Sequence, residues 1–112
     1  MVGPLLTELV VVNESDSVWE PGDVSLFRDR LRAEAYIEPV DVENGEYFAF
    51  TGNGRTLKLR TDGQRCFMET DERAFEDPER VRIFLRRAVE RQTGRDAGGM
   101  TVEELIAEIG FS

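Results

Sequence analysis

The chain contains no histidine, so the commonest general base, the commonest metal ligand and the usual partner of a serine or cysteine nucleophile are all missing. Hydrolases of the triad type are excluded in their usual form, and no catalytic residue is assigned. One thiol remains, Cys66. The hairpin register read below sets it beside Leu59 on an apolar face, where burial raises a thiol's pKa and makes it inert. Carboxylates are plentiful, and Glu14, Asp16, Glu20 and Asp23 supply the oxygen ligands that a hard cation wants, but their spacing is not that of an EF-hand loop. A solvated acidic loop is the simpler reading, so no metal and no cofactor are expected. Gly52-Asn53-Gly54 links two strand-like runs rather than opening a helix, and therefore lacks the geometry of a phosphate-cradling loop. The chemistry that the residues allow is binding rather than catalysis, and a non-enzymatic protein is expected.

The elements that must position these groups are read from turns and periodicity. Glu46 to Thr70 is organised by two dipeptides, Asn53-Gly54 and Asp62-Gly63, each of which accepts the positive φ of a two-residue hairpin turn. Counting outward from the first sets Phe50 opposite Leu57 and Phe48 opposite Leu59. Counting from the second sets Leu59 opposite Cys66 and Leu57 opposite Met68, so both turns are expected to select one apolar face. Asn44-Gly45 is read as a further turn that adds Val40-Asp41-Val42 as an edge strand, Pro39 being unable to donate to a ladder. The β-branched run within residues 5–12 suits a strand covered on both faces. Val24, Phe27, Leu31 and Ala35 predict an amphipathic helix over 24–35, capped by Asp23 or Ser25. Asp77-Pro78 starts a helix over 78–92 with Val81, Phe84, Leu85, Ala88 and Val89 as its buried stripe, and Thr101-Val102-Glu103-Glu104 is a capping box for a helix over 101–109. The expectation is one α+β domain spanning 1–112, with an antiparallel sheet of four to five strands (a meander over about 38–70 plus the strand 5–12) and about three helices.

At 112 residues, with an apolar fraction of 40%, the chain is long enough to bury one core without disulfides. A lone cysteine, no membrane-length apolar run and no leader-like N-terminus lead us to expect a cytoplasmic protein with no membrane association. The formal net charge is −9 and is unevenly placed: residues 1–50 carry eleven acids against three arginines, whereas 77–95 carry six arginines against three acids. Such acidity disfavours nucleic acid, which is bound by neutralising phosphates, and favours a partner protein with a basic surface. On charge and exposure, Glu14, Asp16, Trp19, Glu20, Asp41 and Glu43 are the candidate partner contacts. Trp19 also has a plainer role available, pinning its loop to the core. A second candidate surface is the sheet face that the expected register gives to Tyr47, Lys58, Arg60, Arg65 and Phe67, where basic and aromatic residues alternate as on a single-stranded nucleic-acid platform. Val40, Val42 and Ala49 share that face in the same register, which argues for a small covered core with basic stems at its rim.

The run Tyr47-Phe48-Ala49-Phe50-Thr51-Gly52-Asn53-Gly54-Arg55-Thr56-Leu57-Lys58-Leu59, together with the helix start Glu76-Asp77-Pro78, resembles small immunity proteins of bacterial polymorphic toxin systems. The resemblance covers the central and C-terminal parts of the chain. It implies a small cytoplasmic protein that binds a cognate toxin domain and blocks its active site, often by presenting an acidic surface to a basic nuclease. It transfers no individual contact residue. The alternative function is a small regulatory or nucleic-acid-binding module using the basic and aromatic face.

Overall fold

Three consecutive valines sit at the centre of the sheet. In the computed structural model, which describes residues 5–112, Val10–Glu14 forms strand β1, and Val10, Val11 and Val12 are all buried. Successive side chains of a strand point to opposite faces, so an unbroken apolar run requires cover on both. The strand begins later than expected. The amides of Glu8 and Leu9 both donate to the Leu5 carbonyl at 2.9 Å, so Leu5–Leu9 is wound into a turn and Leu5 remains exposed. Leucine and glutamate in that stretch favour a helical turn over an extended backbone, and β-branching only becomes continuous at Val10.

Strands β2 (Asp23–Phe27), β3 (Tyr47–Thr51), β4 (Thr56–Thr61) and β5 (Cys66–Thr70) join β1 in a five-stranded antiparallel sheet of order β2-β1-β3-β4-β5. The first strand therefore lies inside the sheet, with Val11 facing Leu26 on one side and Phe50 on the other. β2 replaces the first half of the helix expected over 24–35. Val24-Ser25-Leu26-Phe27 also fits a period of two, and β1 offers it a complete set of backbone partners. The helix that follows, α1 (Arg30–Tyr36), is capped by Asp29, whose carboxylate accepts from the Arg32 amide at 2.9 Å; neither Asp23 nor Ser25 caps it. The strand expected at Val40–Val42 is instead a short helix, α2 (Pro39–Glu43). Proline at the first helical position has its φ already set and needs no amide partner, and Gly45, at φ 69°, ends the helix instead of turning a hairpin. Four helices result among the described residues, the others being α3 (Pro78–Thr93) and α4 (Val102–Ile109). Both of these begin as the sequence indicates, with Asp77 accepting from the Arg80 amide and with Thr101 and Glu104 forming the reciprocal box.

Both hairpin registers differ from expectation, with unequal effects. In the first, the Thr51 amide donates to Arg55 at 2.9 Å and the Gly54 amide to Thr51 at 3.0 Å, enclosing three residues, Gly52-Asn53-Gly54, with Gly54 at φ 93°. Phe50 then faces Thr56 and Ala49 faces Leu57, a slip of one residue. That slip sends Phe48 and Phe50 to one side of the sheet and Leu57 and Leu59 to the other. In the second, Leu59 faces Met68 and Thr61 faces Cys66, a slip of two that leaves every side chain on its expected face. Cys66 is buried, as its register required.

The two faces carry separate cores. One contains Val11, Leu26, Phe50, Val81, Phe84, Leu85 and Leu105, closed by α3 and α4. The other contains Val10, Val12, Phe27, Ala33, Ile37, Ala49, Leu57, Cys66 and Met68, closed by α1, with Val42 of α2 packed at its side. The sheet curls enough for α1 to touch β1 and both outer strands, β2 and β5. At β5 the Met68 amide donates to the Glu34 carboxylate at 2.6 Å and Arg30 donates to the Thr70 hydroxyl at 2.6 Å. At β2 the C-terminal residues pair with the strand in parallel, the Ser112 amide donating to the Leu26 carbonyl at 2.8 Å. Each outer strand thus has part of its free backbone edge occupied.

Candidate functional site

Asn13 is the one fully buried residue that fixes the loop between β1 and β2. Its Nδ2 donates to the carbonyls of Ser17 (3.0 Å), Val18 (3.2 Å) and Glu20 (2.9 Å), and its Oδ1 accepts from the Gly22 amide at 2.9 Å. One side-chain amide thereby serves four backbone groups of an irregular segment, its two N–H protons shared among the three carbonyls. Gly22 is required at the loop's end because a Cβ there would overlap the Glu14 carbonyl. Asn13 is not among the residues that the sequence singles out; an asparagine directly after three consecutive valines was the available signal.

So organised, the loop lies along α3 and divides the acidic candidates. The Trp19 ring centroid is 4.5 Å from that of Phe50 and 6.2 Å from that of Phe84, and the Arg80 guanidinium covers it at 4.4 Å. The indole pins the loop to the core, which is the plainer of its two roles. Arg87 donates to Glu20 at 2.9 Å, and Arg91 donates to the Pro21 carbonyl. Within α3, Arg82 pairs with Glu79 at 2.6 Å and Arg86 lies 3.9 Å from Glu90. The basic helix therefore serves the chain itself: its outward arginines hold the loop or a neighbouring glutamate.

Glu14 and Asp16 point elsewhere, and with Asp41 they meet Glu46 at one end of the sheet. Glu14 faces Tyr47 across β1 and β3, the Ser15 amide donates to the Glu46 carbonyl at 3.1 Å, and the Glu46 amide donates to the Asp41 carbonyl at 3.0 Å. Glu14, Asp16 and Glu46 line a shallow concavity of about 250 Å³. A shared hydrogen bond with Asp41, then Asp41's charge, burial and the charge of Glu14 hold the Glu46 carboxyl above its ordinary pKa. Burial, followed by the charges of Glu14, Tyr36, Asp41 and Glu46, pushes the Tyr47 phenol up to about 12. Among the described residues, none of the four carboxylates is in an ion pair. Glu43 is exposed on α2 nearby. Glu46 was not among the sequence candidates, because it was read as a hairpin turn residue rather than as the exit from a helix.

The basic and aromatic surface is divided by the one-residue slip. Tyr47 lies on the face covered by α1 and α2, whereas Lys58, Arg60 and Phe67 lie on the opposite face. Arg60 pairs with Glu69 at 3.1 Å, and Arg65, in the β4–β5 turn, lies 5.2 Å from the Phe67 ring centroid. What remains on that face is a mixed-charge patch on β4 and β5, with Lys58 exposed.

Burial, and secondarily the charge of Glu34, pushes the Cys66 thiol up to about 11, so its thiolate is scarce at neutral pH. No helix among the described residues is long and apolar enough to cross a membrane. No family model, curated protein or solved structure compared with the chain matches it.

Proposed function

We propose that the chain is a non-enzymatic, cytoplasmic protein-binding module whose acidic end, Glu14, Asp16, Asp41 and Glu46 with Glu43 beside them, receives a basic surface of a partner protein. The immunity-protein resemblance gives that partner a class, a toxin domain whose active site is blocked on binding. One observation carries the reading. The protein neutralises Glu20 with Arg87 yet, among the described residues, leaves these four carboxylates together without an ion-pair partner, close enough to raise the pKa of one of them. Like charges held together destabilise a fold, and an opposite charge brought by a partner relieves that repulsion.

The expected complex is stoichiometric and its association slows with salt, because charge steering of this kind is screened within about 10 Å at moderate ionic strength. Affinity capture from the native host, repeated with a chain carrying Glu14→Gln, Asp16→Asn, Asp41→Asn and Glu46→Gln, tests this. A basic protein recovered by the unaltered chain and lost by the variant supports the proposal; a partner retained equally by both, or no protein partner at all, opposes it.

A further inference from the structure

A groove of about 360 Å³ separates α1 and the start of α2 from the β4–β5 turn and lies beside the acidic helix α2. Leu31, Ala35 and Pro39 are among its apolar lining residues, and Glu34, Glu38 and Arg65 are its charged members. Two of these three are already engaged, Glu34 by the Met68 amide at 2.6 Å and Arg65 by the Phe67 ring. Glu38, exposed and in no ion pair among the described residues, is left as the free charge. The surroundings have the same sign. From Leu31 to Glu46 the chain carries Glu34, Glu38, Asp41, Glu43 and Glu46 against Arg32 alone, and Arg32 pairs with Asp29.

The same segment holds an excess of exposed apolar surface. Six large hydrophobic side chains are exposed among the described residues, and three of them, Leu31, Tyr36 and Val40, belong to α1 and α2. Leu31, 78% exposed, is the one of the three that lines the groove, whereas the Tyr36 ring lies 5.1 Å from that of Phe27 and 6.4 Å from that of Tyr47. An exposed apolar group at the lip of a concavity marks an interaction site more strongly than one standing singly, as Phe75 does.

We propose that this groove docks a lysine- or arginine-rich segment of a partner protein, which inserts one large apolar side chain between α1 and the β4–β5 turn while its cations lie along α2. Charge complementarity selects this occupant: an acidic or uncharged apolar segment would meet Glu38, Asp41 and Glu43 without compensation. The inference rests on the acidic-end reading above and adds to it an apolar anchor, which supplies affinity where charge supplies encounter rate.

Fluorescein-labelled model peptides test it on the full chain at low salt. One alternates lysine with leucine, a second replaces every leucine by glycine, and binding is read by anisotropy and by amide chemical shifts. The lysine–leucine peptide is expected to bind more tightly and to shift the amides of Leu31, Ile37 and Phe67. Leu31→Gln, a change at an exposed position that leaves the fold intact, is expected to weaken that peptide about fivefold, the loss appropriate to partial burial of one leucine, without affecting the glycine peptide. Equal binding of both peptides, with shifts confined to Glu14, Asp16, Asp41 and Glu46, overturns the groove while leaving the acidic end standing. Binding of neither peptide overturns both.

Discussion

Asn13 shows how one side chain sets the position of a surface it does not join. Its four hydrogen bonds hold the loop from Ser17 to Gly22, and that loop delivers Trp19 and Glu20 to α3. Asn13→Ala leaves the Gly22 amide and three carbonyls without their partner. The expected loss is about 2–3 kcal/mol, read as a lower urea midpoint, with faster amide exchange confined to residues 15–22. Asn13→Asp separates donors from acceptor, since it keeps the bond from Gly22 but loses all three bonds from Nδ2. It should therefore be no better tolerated than alanine. Glu46 presents the opposite case, a residue whose charge costs stability. Its pKa is raised in the fold, so its contribution is intact below the ordinary carboxylate range and is lost as pH rises through the raised value. Glu46→Gln should accordingly raise the denaturation midpoint at neutral pH, a gain that disappears on acidification, while weakening capture of a basic partner.

At the scale of elements, the local signals with a single solution were legible and those with two were not. Asp77-Pro78 and the Thr101–Glu104 box admit only a helix start, and both helices begin there. Val24 to Phe27 satisfies a helical period of 3.6 together with Leu31, and a strand period of two by itself. What decides is β1, which needs a second neighbour once β3 has taken one side. Pro39 is equally ambiguous, being at home on a sheet edge or at the first turn of a helix. The hairpins show why the second site was misjudged. Asn53-Gly54 also fits a three-residue loop with glycine last, and that choice moved Tyr47 away from Lys58, Arg60 and Phe67. Gly54 and Gly63 make a controlled comparison, since both have φ near 90° but only Gly54 abuts another segment, the backbone of Asp77. Gly63→Ala should cost about 1 kcal/mol, from the left-handed backbone alone. Gly54→Ala should cost more than about 2 kcal/mol, because the added methyl also pushes the α3 start away from the hairpin; thermal melts of the two variants measure the difference.

Over the whole molecule, the charge asymmetry of the sequence is partly an internal matter. The acid-rich first half and the arginine-rich α3 meet through Glu20 and Arg87, whereas Glu14, Asp16 and Glu46, at one end of the sheet, have no ion-pair partner among the described residues. Alkaline pH tests the burial that accompanies this arrangement. The Cys66 thiol is pushed up to about 11 and the Tyr47 phenol up to about 12, each by burial first. Both groups are neutral in the fold while the unfolded chain gives up their protons earlier, so their contribution is intact below the ordinary thiol pKa of about 8.5 and is lost as pH climbs through these values. Urea midpoints should stay level to about pH 8 and then fall towards pH 12, and Cys66 should resist thiol reagents at neutral pH until denaturant is added.

The occupied outer strands bear on what happens when the protein is concentrated. A fibril grows by offering an incoming chain a bare row of backbone donors and acceptors, and β5 meets it with Glu34 on the Met68 amide while β2 meets it with Phe111 and Ser112. Glu34 adds a second deterrent, since its carboxylate must be pulled off the Met68 amide and left without that donor before a strand can be added there. Glu34→Ala should therefore shorten the lag before thioflavin-positive aggregates form under agitation by more than it lowers the melting temperature, separating protection of the edge from stability of the fold.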